Sequence, residues 1–390
     1  SSLKLDQNYI HSLINLSKLS YTDKDFQETI RLLKNYHLKN PDNTKIISIL
    51  ADTTLTAGFI DETLFFHKKL IQSGKFEIKD LSALITLLNY SNNYSDDEYK
   101  NYCKLYEKIL SKNRTSYYLV DKEHDKKRIA FLSYDFRDHS VGYFLKDFIK
   151  ELKKNKFVTI GFNLYRKNFE SKLKTELKDS FQEWYDVSEF DDKKLSDFIY
   201  SKKVGFLIDL AGYSDGNRIQ VFKNKPAPIQ ISWLGYCNET HIKEIDYMVT
   251  DENISKDNRN NKKLIKMPKI WNSFSKLEDL EINDLPFIKN KIFNFGCFNN
   301  FLKISDETID VWGEILNKFS NSNIILKSSI SMDKDFKKYI FKKFKHKVEK
   351  ERVKILNYEV EKKNHLKQYL NIDLCLDTFP YNGVTTTFES

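Results

Sequence analysis

Hydrophobic positions in the first part of the chain recur three or four residues apart, which is the spacing of amphipathic helices. The segments 26–33, 47–55 and 64–70 follow this pattern, and no strand-like alternation interrupts them. The pattern predicts stacked helical hairpins over residues 1–112.

Small residues within these predicted helices resemble those of a tetratricopeptide repeat, a helical hairpin of ~34 residues. Ala51 and Gly58 stand near positions where that repeat has small residues, whereas Ile47 and Thr54 stand where it has Trp and Tyr. An unrelated helical bundle is the alternative. Either interpretation places an all-α region ahead of the rest of the chain.

From residue 127 onward, short β-rich runs alternate with amphipathic helical stretches, which is typical of α/β folds. Strands are predicted at Arg128–Ser133, Phe157–Phe162, Val204–Asp209, Ile229–Trp233, Asp246–Thr250, Phe293–Phe298, Asn323–Leu326, Val353–Leu356 and Asp373–Leu376. Helices are predicted at Val141–Leu152, Asp192–Ser201, Asp306–Phe319, Asp335–Phe344 and Glu361–Leu370. Polar residues and Pro286 divide these elements into two groups. We therefore predict two doubly wound sheets, which bind ligands at the carboxyl ends of their strands.

These changes along the chain set the predicted domain boundaries. A helical region covers 1–112, a charged linker 113–126, a Rossmann-like lobe 127–275 and a second Rossmann-like lobe 276–390. The chain begins without Met and stops at Ser390, where a further strand–turn–helix unit is starting. We therefore expect a fragment whose second lobe is truncated.

Charge and cysteine content narrow the class of protein. The net charge of +9 comes from 64 basic and 55 acidic residues mixed along the chain, without the concentrated basic element of a nucleic-acid reader. The cysteines form no CxxC pair, which indicates neither a disulfide framework nor a zinc site and fits a cytoplasmic location. No apolar run approaches the ~18 residues of a membrane span. We expect no nucleic-acid partner, no membrane span and no metal.

Two polar segments of the second lobe follow predicted strands, where a ligand would bind. Asn300 and Lys303 lie in a short loop before a helix capped by Ser305, and an ammonium group there can neutralise a leaving diphosphate. Asn382 and Gly383 lead into three threonines, whose hydroxyls and backbone N–H groups would form a diphosphate cradle. A solvated lysine and a plain threonine N-cap are the alternatives.

Two histidines are candidates for the chemistry. Lys362 lies three residues before His365 on the same helical face, so the pair could hold a base and a ribose. His139 follows the first predicted strand, and imidazole suits proton transfer near neutrality. A structural histidine and a helix-capping histidine are the respective alternatives. Loops after later strands would build cleft walls, with the candidate residues Asp209, Tyr213 and Tyr236.

Five segments, taken in order along the chain, are together specific enough to indicate a family. They are DFRDHS, DLAGYSDGNR, KPAPIQISWLGY, FNNFLKIS, and HLKQYL with CLDTFPYNGVTTTFES. In this order they are similar to the O-GlcNAc transferase family, glycosyltransferase family 41, and more to its bacterial than to its animal members. The resemblance covers about 125–390 and the helices before it. It implies a GT-B architecture of two Rossmann-like lobes behind tetratricopeptide repeats.

The resemblance also implies roles on the phosphate side of a UDP-sugar. Lys303 matches the family's diphosphate-contacting lysine, and Asn300 matches a nearby amide that reaches the donor. Thr385 and Thr386 match hydroxyls that contact the phosphates.

On the nucleoside side, His365 matches a histidine that packs on uracil. Lys362 matches a lysine at the ribose, and Glu389 matches an acidic ribose ligand. His139 matches a histidine once favoured as general base, although water or a phosphate oxygen could also take the proton.

The predicted activity follows from these matches. It is inverting, metal-independent transfer of a sugar, GlcNAc foremost, from UDP-GlcNAc or a related nucleotide sugar to Ser or Thr hydroxyls of a protein. The helical repeats would present that acceptor, and no cofactor is expected. The alternatives are a fucose or glucose donor, an Asn acceptor, or a non-catalytic scaffold built on the repeats.

Overall fold

The computed structural model describes residues 10–23, 26–114, 116–118, 124–166, 171–254, 263–275, 280–328, 334–344 and 348–390. Residues 115 and 119–123 of the predicted linker lie outside these ranges, as do residues 1–9. The described residues form two compact units, one drawn from Ser1–Tyr94 with Glu278–Ser390 and the other from Ser95–Leu277. These units differ from the predicted domains, because the predicted helical region is divided between the two units. The predicted boundaries mark changes of fold type along the chain, and they stay a prediction.

The helices at the start of the chain form hairpins, and the first four of them share an apolar core. They are α1 (Ile10–Asp23), α2 (Gln27–Lys39), α3 (Thr44–Thr56), α4 (Ile60–Gln72) and α5 (Ile78–Leu88). Leu33, Ile46 and Leu50 are completely buried in this core. Gly58 has a φ of 82° just after α3, where the left-handed backbone lets the chain turn into α4. The predicted all-α region is therefore present.

The second unit contains one helix of the predicted helical region and a parallel sheet. Its elements are α6 (Asp96–Lys112), β1 (Asp125–Ser133), α7 (Ser140–Lys154), β2 (Val158–Asn163), α8 (Lys172–Ser180), β3 (Glu183–Asp186), α9 (Asp192–Ser201), β4 (Val204–Asp209), α10 (Ile219–Lys223), β5 (Ile229–Ser232), β6 (Tyr247–Asp251) and β7 (Lys263–Met267). Among the described residues the strand order is β3-β2-β1-β4-β5-β6-β7, and each neighbouring pair is parallel. The α/β class predicted for this region is confirmed.

The sequence prediction missed two strands of this sheet, β3 and β7. Both lie at sheet edges and are only partly buried, and their sequences carry charged residues at one or both ends. An edge strand with one neighbour needs no continuous apolar run, so its pattern does not stand out from a loop.

The remaining elements belong to the unit that holds α1–α5. They are α11 (Pro286–Asn290), β8 (Phe293–Cys297), α12 (Asp306–Lys318), β9 (Ser322–Leu326), α13 (Lys334–Phe344), β10 (Val353–Ile355), α14 (Lys362–Lys367), β11 (Leu374–Cys375) and α15 (Thr385–Glu389). The described strands pair in parallel in the order β10-β9-β8-β11. Trp312 and Leu316 of α12 pack on Ile324 and Leu326 of β9 in the core below the sheet.

Two aromatic contacts join the first helices to this second sheet. The Phe59 ring lies 4.7 Å from the Tyr339 ring of α13, centre to centre. The Tyr90 ring, just after α5, lies 4.8 Å from the Tyr381 ring in an edge-on arrangement. Helices and sheet therefore share one packed unit. Within the described ranges, no helix is long and apolar enough to cross a bilayer.

Candidate functional site

The carboxyl ends of the strands in the second sheet gather polar residues from separate parts of the chain. β8 leads into residues 299–303, β9 leads into Lys327, and β11 leads into residues 376–383. Because the strands are parallel, these segments meet along one edge of the sheet. This is the edge that the sequence predicts as the ligand-binding edge.

Hydrogen bonds tie the loop after β11 to the loop after β8. Asp377 accepts from the backbone N–H groups of Thr378, at 2.8 Å, and Gly383, at 2.7 Å. The Asn299 amide donates to Asp377 at 3.1 Å and accepts from the Thr386 hydroxyl at 3.2 Å. Asn299, which the sequence prediction missed, therefore connects the two loops to the start of α15.

Gly383 is required by the space around it. A Cβ at this position would lie 2.6 Å from the Thr386 hydroxyl oxygen and 2.7 Å from the Asn299 amide nitrogen. Any larger residue would therefore push apart the threonine and the amide that close the loop. Thr385, the other predicted phosphate-contacting threonine, is the first residue of α15.

The Lys303 ammonium lies against the same loop. Its Nζ donates to the Asn382 backbone carbonyl at 3.2 Å and lies 4.5 Å from the centre of the Tyr381 ring. Asn300 caps the short 3-10 turn that contains Lys303, with its side-chain oxygen accepting from the Leu302 N–H at 3.1 Å. The structure thus brings Lys303 to the loop that holds Asn382 and Gly383 and adds Tyr381, and a role of these residues in ligand binding stays a prediction.

A second polar cluster forms around the Glu389 carboxylate, which is 2% exposed. It accepts from Lys362 Nζ, from His365 Nε2 at 2.9 Å and from the Tyr369 hydroxyl at 3.1 Å. Burial opposes ionisation of Glu389, but the hydrogen bond from His365 and the charge of Lys362 outweigh it and lower the pKa of the carboxyl group. Burial and the adjacent Glu389 raise the pKa of Tyr369. The three predicted nucleoside-side residues are therefore in contact.

Lys327 is a member of this cluster that the sequence prediction missed. Its Nζ lies 2.6 Å from His365 Nδ1 and 4.3 Å from the centre of the Phe298 ring, and the residue is 1% exposed. Burial lowers the pKa of Lys327 to about 8, against the opposing effect of the Glu389 and Glu359 charges. The sequence does carry a signal for Lys327, since it is a charged residue directly after the fully buried strand β9.

A small pocket lies beside the carboxyl ends of β8 and β11. It has a volume of ≈ 70 Å³, and its lining includes Phe298, Asn299, Tyr369 and Thr386. Tyr369 also contacts Glu389, and Thr386 contacts Asn299, so the pocket has one polar group on each side.

In the other unit, His139 caps the start of α7. Its ring accepts from the Val141 N–H at 3.4 Å, and its Nδ1 lies 3.5 Å from an Asp135 carboxylate oxygen. Burial lowers the pKa of His139, with Asp135 opposing and Arg137 assisting that shift. The capping alternative is thus observed. Its ring is 38% exposed, and its catalytic role stays a prediction.

The three residues predicted to line a cleft are buried in that unit. Asp209 accepts from the backbone N–H groups of Ala211, at 3.0 Å, and Gly212, at 3.1 Å. Tyr213 donates to a backbone carbonyl and is 1% exposed, and the Tyr236 hydroxyl lies 2.9 Å from the hydroxyl of Tyr99 in α6. These contacts hold the loops and α6 together, and a role in ligand binding stays a prediction.

These features define a GT-B-like α/β protein preceded by helical hairpins, with a lysine, threonine hydroxyls and a His–Glu–Lys cluster at one sheet edge. Residues 93–274 match the model of Glycosyl transferase family 41. The chain belongs to this family.

Relatives agree with this assignment. The chain is 30% identical over 316 residues to a probable UDP-N-acetylglucosamine–peptide N-acetylglucosaminyltransferase SPINDLY of Hordeum vulgare, covering 78% of this chain and 33% of that protein. It is 27% identical over 272 residues to the Arabidopsis thaliana protein of the same description named SEC, covering 66% of this chain and 27% of that protein. The chain thus spans a third or less of the length of these relatives.

A solved structure confirms the fold. A mutant of the Thermobaculum terrenum O-GlcNAc transferase superposes with a TM-score of 0.85 at 21% identity, covering 99% of this chain and 75% of that chain. The predicted fold class, an α/β GT-B type behind a helical region, is therefore confirmed.

Proposed function

We propose that this protein transfers GlcNAc from UDP-GlcNAc to Ser or Thr hydroxyls of acceptor proteins in the cytoplasm. The transfer is a single displacement with inversion, and it needs neither a metal ion nor another cofactor. The proposal rests on one observation above all, the convergence of Lys303, Thr386 and the Glu389 cluster at the carboxyl edge of one parallel sheet. Family membership and the names of the relatives support the same donor.

Such a site accelerates transfer by stabilising the negative charge that develops on the leaving diphosphate. The acceptor oxygen forms a bond to the anomeric carbon as the bond to the diphosphate breaks, and UDP leaves with that electron pair. Lys303 supplies a fixed positive charge for the departing diphosphate. Thr385 and Thr386 would donate hydroxyl hydrogen bonds to the same phosphates.

The nucleoside would bind at the second cluster. Uracil packs on the His365 ring in this proposal, and the ribose hydroxyls meet Lys362 and Glu389. A carboxylate already held by three donors is in place before the ligand arrives, so less ordering is needed on binding.

Proton removal from the acceptor is assigned to His139 in this proposal. A lowered pKa keeps its ring unprotonated near neutrality, which is the state that accepts a proton. The helical hairpins would present the acceptor polypeptide.

Calorimetric titration of the full chain tests the donor and the absence of a metal together. UDP and UDP-GlcNAc are expected to bind equally well in EDTA and in manganese. UDP-glucose and GDP-fucose serve as competing donors, and tighter binding of either would replace GlcNAc in the proposal. Loss of UDP binding in EDTA, restored by manganese, would overturn metal independence. Mass spectrometry of a cell extract incubated with UDP-GlcNAc then tests for an added sugar on Ser or Thr.

A further inference from the structure

Lys327 is a buried charged group to which the proposed mechanism gives no role. It follows β9 directly, is 1% exposed, and places its Nζ 2.6 Å from His365 Nδ1. The face of the Phe298 ring lies 4.3 Å away and stabilises the cation on its other side. A buried lysine loses hydration, so its charge needs compensating contacts, which the His365 nitrogen and the Phe298 ring supply.

The donor and acceptor chemistry of this contact determines the state of the imidazole. An ammonium group has only hydrogens to offer, so His365 Nδ1 must supply the lone pair. The proton of the neutral ring then lies on Nε2, which is 2.9 Å from a Glu389 oxygen and can donate to it. A second proton on Nδ1 would put two positive charges 2.6 Å apart.

The charged groups around the ring favour this arrangement. Lys362 donates to the other Glu389 oxygen, and the Tyr369 hydroxyl donates to the oxygen that His365 uses. Glu359 acts on Lys327 from further away and favours its charged form. At neutral pH the lysine stays mostly protonated, because burial lowers its pKa only to about 8.

We propose that Lys327 is a positioning residue that holds His365 in the tautomer with hydrogen on Nε2 and so fixes the plane of the imidazole. The consequence of this positioning for ligand binding rests on the proposed function, in which uracil packs on the face of the His365 ring. Without Lys327 the ring can change tautomer, take a second proton or rotate. UDP affinity is then expected to fall about tenfold, since a mobile platform must be ordered when the base binds.

Nitrogen NMR of the ring tests the tautomer without any ligand. The full chain, deuterated and carrying ¹⁵N-histidine, has eight histidines, and a His365→Gln variant assigns the signals of His365. At pH 7 the wild type is expected to show hydrogen on Nε2 and none on Nδ1. Lys327→Met, which keeps the length of the side chain but not its donor, should show mixed tautomers or a doubly protonated ring. Lys327→Arg restores a donor and should restore the wild-type pattern.

Three outcomes overturn the proposal. They are hydrogen on Nδ1 in the wild type, an unchanged tautomer in Lys327→Met, and an equal change in Lys367→Met, which alters an exposed lysine of α14. Thermal unfolding of each variant shows that it is folded. Calorimetry with UDP is the second test. Equal UDP affinity in wild type and Lys327→Met would overturn the expected effect of Lys327 on ligand binding. If the wild type bound no UDP at all, the proposed function would fail while the tautomer result stood by itself.

Discussion

His365 and His139 are both candidate functional histidines, yet their surroundings differ. Side chains from other elements hold His365 at both ring nitrogens, through Lys327 and Glu389. His139 is held mainly by its own local sequence, since it caps α7 and lies beside Asp135 four residues earlier. A platform for a base gains from being immobile, whereas a proton acceptor needs access and a lone pair. Under the proposed function, the His365 region would bind the base and the His139 region would accept the proton.

Removing the charge at the sheet edge is expected to cause the largest loss of activity. Lys303→Ala should lower the transfer rate about 10²–10³-fold, because a fixed charge on the leaving diphosphate is worth ~3–4 kcal/mol. Single-turnover assays at saturating UDP-GlcNAc measure this effect. Lys318→Ala, at an exposed position in α12, is the matched control and should be silent. A Lys303→Ala rate within about tenfold of wild type would contradict the role given to Lys303.

The buried lysine predicts an effect of pH on stability in the alkaline range, whereas the lowered pKa of His139 acts on stability only in the acidic range. The pKa of Lys327 is about 8 in the folded protein, below the ordinary value of 10.5, so the unfolded chain binds its proton more tightly. The cost of burying the charge is therefore fully present below pH 8 and is relieved as pH rises above it. Between pH 8 and 9.5, wild type should gain about 2 kcal/mol in unfolding free energy relative to Lys327→Met.

Denaturant titrations of both proteins across that pH range measure this difference. Titrating groups remote from Lys327 are common to the two proteins and cancel in the comparison. A difference that stays constant with pH would mean that Lys327 titrates normally.

A smaller loss is expected from His139. His139→Ala should lower the transfer rate about tenfold, less than Lys303→Ala, because water or a phosphate oxygen can also take the acceptor proton. The sign of the pH effect follows from the lowered pKa of His139, since activity falls only once pH drops low enough to protonate the ring. The variant should lose this acidic limb of the kcat/KM profile. A loss exceeding that of Lys303→Ala would instead make His139 the dominant catalytic group.

The smallest effect tests whether the helical hairpins support the donor site. Tyr90 packs edge-on against Tyr381, which lies under the Lys303 ammonium. Tyr90→Ala should raise KM for the UDP-sugar about three- to tenfold, since an aromatic pair is worth about 0.5–1.5 kcal/mol. Tyr90→Phe keeps the ring and should behave as wild type. Equal KM values in Tyr90→Ala and wild type would separate the helices from donor binding.

Local periodicity explains which elements were predictable from the sequence. The ranges of β4 and α9 were predicted to the residue, because a strand that is apolar up to its last residue and an amphipathic helix capped by Asp191 are local patterns. Candidate residues after β8 and β11 were predicted for the same reason, since their position after a strand is a property of the chain alone. The edge strands β3 and β7 were not predicted, because a strand that is only partly buried has a weak pattern of apolar residues.

Contacts between distant segments were decided only by the tertiary structure. Lys327 meets His365 because β9 lies beside β8 in the sheet and α14 packs near the carboxyl ends of these strands. The spacing of apolar residues along the chain shows neither the strand order nor the position of α14. The same holds for Tyr90 and Tyr381, which are far apart in sequence and meet only where helices and sheet pack in one unit. The sequence by itself determined which chemical groups stand at the strand ends. The order of the strands and the packing of the helices decided which of those groups touch.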